Sequence, residues 1–382
     1  MVVEEQPARA TEGSSTGRPI CVLMTGPALE GAGGVESYYR AVLPLLKQSD
    51  DFDMHYLDVG RVAGSKRSFH RVGDQVRLRQ QLKALKPDLL HVNPCLNVKG
   101  FLRDGLFVWQ AKRLGIPVIV FFRGWELGLE RRIEGGLWRW IFRNTFAKAD
   151  YTLVLAKRFK DCLRRWGVTN PVELSTTAVD ASLLEGVSMP DPVVRFDGPP
   201  WRLLFLSRLE LTKGVLETIR ATIRLRESGL DVRLTIAGEG AAEGDVRRLV
   251  AEYPEHSAYI DLVGFKHGIE KRDMFLSHHV FCLPTSHGEG MPNAVLEAMA
   301  FGLPVFTTHA GGLADFFDGE RMGATVEAGD VEALTEALQK MFEDRVRMVA
   351  VSGYNQQYAQ SLYTSMRRTA TRCDMNRDWA YC

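Results

Sequence analysis

The sequence lacks paired cysteines and long apolar runs. Its six cysteines are scattered along 382 residues, and no two of them form a CxxC pair. This spacing favours neither a disulfide framework nor a zinc site, so we expect most of the thiols to be small buried side chains. No apolar run reaches the roughly 18 to 20 residues that a membrane-spanning helix needs. These absences point away from a disulfide-rich secreted domain and from an integral membrane protein.

The first 18 residues also lack an apolar block of the kind found in signal peptides. They read MVVEEQPARATEGSSTGR and are polar or small almost throughout. We therefore expect a disordered segment over residues 1–18 and a cytoplasmic protein.

Charge is distributed unevenly, although the formal net charge is only +1. Residues 61–165 contain 23 Lys and Arg against 8 Asp and Glu. One interpretation is an ordinary solvated basic face; the other is a surface for an acidic acceptor or for anionic lipid at the inner face of a membrane. The stretches GLWRWIFRNTFAKAD and KRFKDCLRRWG suit a peripheral, interfacial helix. No nucleic-acid module accompanies the charge, so we expect no nucleic-acid partner.

Short apolar runs alternate with helical patterns in two series. The first series fills residues 19–185 and begins with PICVLMTG; the second fills residues 201–352 and begins with WRLLFLSRLELTKG. Continuous apolar strands separated by helices are typical of parallel sheets covered on both faces. The sequence therefore predicts an α/β protein in which two Rossmann-like, doubly wound domains face a cleft.

The two predicted domains are joined and followed by segments of different composition. Four prolines in GVSMPDPVVRFDGPP predict a linker over residues 186–200, where regular structure should fail. Residues 353–382 are predicted to form a C-terminal helix and a loosely held tail, with the helix packing back on the first domain.

Two acids stand eight positions apart in HGEGMPNAVLEAMAFGLPVFTTHAGG, residues 287–312. Pro292 and Gly302 predict the start and the end of a helix, which puts Glu289 in a loop and Glu297 inside the helix. The helix is otherwise almost wholly apolar, so its carboxylate needs hydrogen-bond donors, and sugar hydroxyls are suitable ones. The loop GEGMPN offers backbone N–H groups at a helix N-terminus, which is a ready anion site.

Basic residues occupy the corresponding loop of the first unit in the same half. LSRLELTKG puts Arg208 just beyond a strand and Lys213 directly before a helix. Taken alone, this pair of basic residues is what an ordinary solvent-exposed strand end would contain. Together with an anion-binding loop in the same domain, it indicates a clamp for a diphosphate.

These motifs carry a resemblance to a known family. The second half resembles the retaining glycosyltransferases of family four, which have the GT-B fold, through E-x7-E at Glu289 and Glu297 and through SRLELTKG, IAGEG and LVGF. The first half is similar more weakly, through GGVESYYRAVLPLL, KPDLLHVN and ADYTLVLAKRFKDCLRRWG.

The resemblance implies a hexosyltransferase-type enzyme, without metal or cofactor, that moves a sugar from a nucleoside diphosphate sugar to a glycan or lipid-linked acceptor in cell-surface polysaccharide synthesis. It implies that Glu297 binds the ribose, that Glu289 contacts the donor sugar near the reacting centre, and that Arg208 and Lys213 neutralise the departing diphosphate. The other implied binding residues are Gly290, Met291, Pro292 and Asn293 around the diphosphate and sugar, Gly264 and Phe265 beside the base, and Gly33 and Gly34 across the cleft.

Two departures from the family pattern bear on substrate and activity. VIVFFRGWE places Arg123 where the family commonly has a histidine, and the usual NGVD reads TTAVD. Arginine cannot act as a base at neutral pH, but it binds a phosphate or an acidic sugar. A non-catalytic or partner-dependent homologue and a nucleotide-sugar epimerase of the same fold therefore stay open as alternatives.

Three weaker patterns favour other interpretations. DFD, residues 51–53, matches the metal-binding DxD of the other large glycosyltransferase fold, but it precedes an early strand of a two-Rossmann pattern. Glu289 and Glu297 also match the acid pair of a glycoside hydrolase, which leaves the basic pair unexplained. His278 and His279 are adjacent rather than four apart, so we expect structural roles for both.

Overall fold

The structure is a computed structural model that describes residues 18–30, 34–60, 70–175, 177, 183–288 and 290–372. Four sequence-based expectations fall outside these residues: the disordered first segment, the loosely held tail after residue 372, the role of Gly33 and the role of Glu289.

The first domain contains a six-stranded parallel sheet and a separate sheet of two short strands. Its strands are β1 (Ile20–Gly26), β2 (Phe52–Asp58), β3 (Leu89–Val92), β4 (Cys95–Leu96), β5 (Val118–Phe122), β6 (Gly124–Trp125), β7 (Tyr151–Val154) and β8 (Val172–Leu174). The large sheet has the order β2-β1-β3-β5-β7-β8, and β4 pairs with β6. The longer strands coincide with the predicted apolar runs; the two-stranded sheet and β8 were not predicted.

Helices cover both faces of this sheet. They are α1 (Gly34–Lys47), α2 (His70–Leu85), α3 (Val98–Arg113), α4 (Leu127–Ile133), α5 (Gly136–Asn144), a 3-10 turn (Phe146–Lys148) and α6 (Lys157–Trp166). The helical pattern of the sequence continues to Lys148 and predicts one long helix, but the structure divides it into α4, α5 and the 3-10 turn. The chain turns between α4 and α5, where Gly136 adopts a φ of 59°, a left-handed conformation that favours glycine.

The second domain repeats the arrangement. Its strands are β9 (Trp201–Leu206), β10 (Val232–Ala237), β11 (Ile260–Gly264), β12 (Val280–Leu283), β13 (Val305–Thr307) and β14 (Gly323–Thr325). They form one parallel sheet in the order β11-β10-β9-β12-β13-β14. Five of the six were predicted, and β14 was not. Each domain has its own large apolar core, so the predicted fold class is confirmed.

The connection between the domains is more ordered than expected. A short helix, α7 (Pro192–Arg195), lies inside the stretch where regular structure was expected to fail. Arg195 anchors it, because Nε donates to the His278 carbonyl at 2.9 Å and Nη1 to the Phe301 carbonyl at 2.6 Å. Phe196 is fully buried in the second core. Side-chain contacts with the second domain therefore override the local proline-rich composition.

The remaining helices belong to the second domain. They are a 3-10 turn (Leu211–Lys213), α8 (Val215–Glu227), α9 (Glu243–Ala251), α10 (Pro254–Ser257), α11 (Gly268–Ser277), α12 (Asn293–Ala300), α13 (Leu313–Phe316), α14 (Gly319–Met322), α15 (Val331–Glu343) and α16 (Arg345–Arg372). No helix within the described ranges is both long enough and apolar enough to cross a membrane.

The last helix begins earlier than predicted, and it packs on the second domain instead of the first. It starts at Arg345, and buried Asn355 donates to the carbonyls of Leu303 and Met322 at 2.8 and 3.0 Å. Tyr358 stacks on Phe316. Up to Leu362, where description of the side chains ends, the helix packs on the second domain rather than on the first, because these polar and aromatic contacts hold it there.

Candidate active site

The two predicted donor-binding loops lie side by side. One follows β9 and the other follows β12, and these strands are neighbours in the parallel sheet, so both loops emerge at its carboxyl edge. The Thr212 carbonyl accepts hydrogen bonds from the Ser286 N–H at 2.8 Å and from the Thr285 hydroxyl at 3.1 Å. The basic loop and the loop that leads to α12 therefore form one connected surface.

The turn before α8 fixes the position of Lys213. Lys213 ends the 3-10 turn and is buried. The next residue, Gly214, has a φ of 80°, and a Cβ there would lie 2.7 Å from Pro284 Cγ. Only glycine permits this close crossing of the two loops. Arg208, by contrast, is 62% exposed and pairs with Glu210 at 2.9 Å, an exposed ion pair that an arriving anion can displace.

Glu297 lies inside α12, as predicted, and is 1% exposed. Its Oε2 lies 2.5 Å from Nζ of Lys271 on α11, an ion pair that lacks hydrogen-bond alignment. The sequence did not identify Lys271, because nothing in the local pattern of α11 distinguishes this lysine from a solvated one. The buried carboxylate thus has a cationic partner within the protein.

Residues 290–293 form a tightly packed loop against the first domain. A Cβ on Gly290 would lie 2.6 Å from Leu155 Cδ1, and one on Gly312 would lie 2.7 Å from the Leu155 carbonyl oxygen. Met291 is half-buried, and Pro292 caps α12 from outside instead of lying in its first turn as predicted. Side chains larger than glycine at these two positions would therefore push the loop away from Leu155.

The residues predicted to lie beside a base occupy the same sheet edge. Gly264 ends β11 with a φ of 71°, and its carbonyl accepts from the Gly238 N–H at 2.8 Å. Phe265 is exposed and stacks on His267. The Leu209 N–H in turn donates to the Glu239 carbonyl at 3.0 Å, which connects this end of the site to the basic loop.

Three predicted residues meet across the cleft. Asn293 Nδ2 donates to the Gly34 carbonyl at 2.9 Å. Asn293 Oδ1 accepts from the Thr177 hydroxyl, and Arg123 Nη2 donates to the same hydroxyl oxygen at 3.3 Å. Thr177 belongs to the divergent TTAVD stretch and was not predicted as a bridge. The two domains also meet where the Lys157 N–H donates to Asp315 at 2.6 Å.

Arg123 is a buried cation at this junction, with 8% of its surface exposed. Its guanidinium lies 3.6 Å from the ring centre of Tyr38 and 4.6 Å from that of Phe121. Burial, and then the charge of Arg123, lower the pKa of neighbouring His91 to about 4. His91 is therefore neutral at physiological pH.

The DFD motif lies away from this site. Asp53 is near the start of β2, 3.0 Å from His55 and beside Cys21. The amino ends of parallel strands share the edge opposite to their carboxyl ends. This acid is therefore not placed to hold a metal in the cleft.

An exposed basic and apolar surface lies on the first domain. Leu137 and Trp140 on α5 are 67% and 63% exposed, and Arg131 and Arg132 at the end of α4 are also exposed. Large apolar side chains among cations are typical of surfaces that contact membranes or other partners.

Comparison with known proteins agrees with this architecture. The family model described as glycosyl transferase 4-like domain matches residues 30–174, and the one described as glycosyl transferases group 1 matches residues 200–344. The putative colanic acid biosynthesis glycosyltransferase WcaL of Escherichia coli strain K12 is 29% identical over 203 residues, which are 52% of this chain and 48% of that protein. The chain thus spans about half the length of this relative.

Solved structures share the fold over nearly the whole chain. Sucrose-phosphate synthase from Thermosynechococcus elongatus superposes with a TM-score of 0.72 at 17% identity, covering 93% of this chain and 98% of that one. Anabaena HepE in complex with UDP and glucose has a TM-score of 0.66 at 13% identity, covering 92% and 99%. The chain therefore has the GT-B fold; its first domain matches the glycosyl transferase 4-like model and its second domain the glycosyl transferases group 1 model.

Proposed function

We propose that the protein is a retaining glycosyltransferase that moves a hexose from a nucleoside diphosphate sugar to a glycan or lipid-linked acceptor in polysaccharide biosynthesis. The observation that carries the proposal is the bonding of the Thr212 carbonyl to the loop after β12. It brings Lys213 and the start of α12 to one sheet edge. The name of WcaL, a putative colanic acid biosynthesis glycosyltransferase, supports the polysaccharide setting.

Stabilisation of the leaving group is the main chemical task of such a site. As the glycosidic bond to the diphosphate breaks, negative charge accumulates on the departing phosphate while the sugar gains oxocarbenium character. The close packing of Gly214 against Pro284 fixes the backbone next to Lys213, so the ammonium group is positioned at the sheet edge to stabilise this charge. Arg208 is exposed and releases Glu210 to reach the phosphate. No covalent nucleophile and no metal are part of this proposal.

Alignment of the acceptor is the second task. The bond between Asn293 and Gly34 holds the donor loop against the first domain, so an acceptor bound there faces the donor sugar. Glu297 orients the nucleotide through its ribose hydroxyls, with Lys271 holding the carboxylate in place. Glu289 contacts the donor sugar; this role rests on the sequence motif.

The first experiment measures release of UDP from UDP-sugars in the presence of glycan or lipid-linked acceptors. Anabaena HepE contains UDP and glucose, which supports uridine nucleotides as the first set to test. Lys213→Ala and Glu289→Ala should each reduce acceptor-dependent release at least about a hundredfold, the range for removing a preorganised charge-stabilising group. Lys83→Ala changes an exposed lysine on α2 and serves as the matched control.

Four outcomes would contradict this function or the roles assigned within it. Wild-type turnover in either variant would remove the assigned roles. Hydrolysis of a glycan without any nucleotide would favour the glycoside hydrolase, and conversion of the sugar without an acceptor would favour the epimerase. Nucleotide binding without turnover, even with acceptor, would favour the non-catalytic homologue.

We propose further that the first domain binds anionic membrane through α4 and α5. Leu137 and Trp140 supply exposed apolar surface, and Arg131 and Arg132 supply charge. Arg131→Glu with Arg132→Glu should weaken sedimentation with phosphatidylglycerol-containing liposomes, with no effect on neutral ones. Arg247→Glu with Arg248→Glu on α9 of the second domain is the charge-matched control. Unchanged liposome binding after the charges at Arg131 and Arg132 are reversed would exclude this surface as the membrane-binding site.

A further inference from the structure

Arg123 is a buried cation, and the described part of the chain gives it no acidic partner. Among the residues that the structure describes, no Asp or Glu lies within ion-pair distance of its guanidinium. Burying an unpaired charge is costly, and proteins ordinarily compensate for it with a carboxylate or another anion. Arginine also stays protonated at all physiological pH values, so it does not escape this cost by losing its proton.

The unsatisfied N–H groups of Arg123 belong to a larger polar cluster. Its Nε and Nη1 atoms are buried and have no hydrogen-bond partner among the residues that the structure describes. The same is true of Tyr39 Oη, His91 Nε2 and Asn93 Oδ1. Asn93 follows β3 and Arg123 follows β5, so both lie at the carboxyl edge of the first sheet. Buried polar atoms are nearly always paired, so this concentration indicates a place where a ligand completes the hydrogen bonding.

The geometry around Arg123 restricts the ligand. Tyr38 lies against the guanidinium face, which leaves the in-plane N–H groups as its binding edges. Through Thr177, the guanidinium is connected to Asn293 at the start of α12. Arg123 thus lies across the cleft from the loop that surrounds the donor sugar in the proposed function. Arg208 and Lys213 lie on the second domain and bind the phosphates in that proposal.

We propose that Arg123 binds the carboxylate of an acidic donor sugar, so that the preferred substrate is a nucleoside diphosphate uronate rather than a neutral hexose donor. This inference rests on the proposed function and names its substrate class. A planar carboxylate matches the planar N–H edges of a guanidinium, and the charge-assisted hydrogen bonds between them are strong. The neutral partners Tyr39 and Asn93 then complete the contacts to the sugar hydroxyls.

Calorimetric titration with UDP, UDP-glucose and UDP-glucuronate tests this proposal, because the two sugars differ only in the group at C6. The wild-type protein should bind UDP-glucuronate at least about tenfold more tightly than UDP-glucose, as expected for a charge-assisted hydrogen bond. Arg123→Met should abolish this preference and leave the affinity for UDP within about twofold. Arg123→Lys keeps the charge but not the planar edge, and should retain a reduced preference.

Arg79→Met is the matched control, since Arg79 is exposed on α2, and it should keep the full preference for the uronate. A purely structural role for Arg123 predicts a different pattern: Arg123→Met would lower the melting temperature and weaken all three ligands alike. Equal affinities of the wild-type protein for the two sugars would overturn the proposal.

The same titrations separate this proposal from the function on which it rests. If UDP itself does not bind, the proposed uridine donor fails and the uronate assignment fails with it. If UDP binds but the two sugars do not differ, only the present inference fails. If methyl glucuronide binds the UDP complex in an Arg123-dependent way while the two UDP-sugars bind equally, the carboxylate belongs to the acceptor, and the donor assignment is wrong.

Discussion

Lys271 Nζ lies 2.5 Å from Glu297 Oε2, and this ion pair joins α11 to the buried side of α12. The sequence predicted that the buried carboxylate needs donors and assigned them to a ribose. The structure shows that a lysine of the protein itself compensates its charge. The shape of the donor site therefore depends on Lys271. Substitution of Lys271 should lower the stability of the protein even when no ligand is bound.

Lys271→Met should destabilise the protein markedly. It leaves a carboxylate with 1% exposure and no cationic partner, and breaking a buried pair in this way costs about 3 to 5 kcal/mol. For a domain of this size, that corresponds to a fall in melting temperature of roughly 6 to 20 °C. Combining Lys271→Met with Glu297→Gln should recover most of the loss, because the buried charge is then gone. Equal melting temperatures for Lys271→Met and the wild-type protein would contradict the pairing.

Gly312→Ala should damage the donor loop selectively. The added methyl group would lie against the backbone carbonyls of Gly290 and Leu155, and neither can move without displacing the loop. We expect loss of UDP binding by about tenfold or more with the protein still folded. Gly244→Ala on α9 is the control, because its added Cβ has nothing within 4 Å. Normal UDP affinity in Gly312→Ala would show that this packing does not set the loop.

Asn293→Ala should impair sugar transfer through loss of the contact between domains. Asn293 bonds to the Gly34 carbonyl and to Thr177, both on the other side of the cleft. We expect kcat to fall by about tenfold or more, since alignment of donor and acceptor is lost, while affinity for UDP stays within about threefold. Asn144→Ala removes only an exposed bond to the Trp140 carbonyl and should leave kcat unchanged. A fall in UDP affinity without a fall in kcat would assign Asn293 to nucleotide binding instead.

Stability should fall as the pH is lowered from about 6.5 to about 4, partly because of His278. Burial lowers the pKa of His278 to about 4, and the charges of Arg202 and Arg195 act in the same direction. The unfolded chain, with a histidine pKa near 6.5, binds a proton in this range while the folded protein does not. The contribution of His278 to the free energy of unfolding is therefore complete above pH 6.5, and it falls by about 3 kcal/mol as the pH reaches 4.

Hydrogen bonding fixes the tautomer of neutral His278. Because a carbonyl only accepts, Nδ1 donates to the Met274 carbonyl at 2.6 Å, and Nε2 then accepts from the Thr235 hydroxyl at 2.7 Å. Melting temperatures of His278→Gln measured from pH 7.5 to 4.5 should fall less steeply than those of the wild-type protein. His309→Gln changes an exposed histidine and should reproduce the wild-type slope. Parallel slopes for His278→Gln and the wild-type protein would contradict this assignment.

Much of the fold was predictable because buried parallel strands leave continuous apolar runs between helical patterns. The same logic placed the basic loop and the loop before α12 together, since each follows a strand of one sheet. The short strands β4, β6, β8 and β14 were missed because strands of two or three residues leave little periodic signal. The equally short β13 was predicted because it lies in the longer apolar run LPVFTT.

The remaining differences come from long-range contacts. The helix inside the linker depends on Arg195 reaching carbonyls of His278 and Phe301, which are distant in sequence. Likewise, the partner of Glu297 and the bridge through Thr177 depend on how separate elements meet in space. Local composition carries no information about such contacts, so they had to be read from the structure.

The most direct measurement is a crystal structure of the protein in complex with UDP. We predict that the diphosphate lies within hydrogen-bonding distance of Lys213 and Arg208, with the ribose hydroxyls at Glu297 and the uracil beside Gly264. A nucleotide bound elsewhere, or bound at this edge without contact to Lys213 and Glu297, would contradict it.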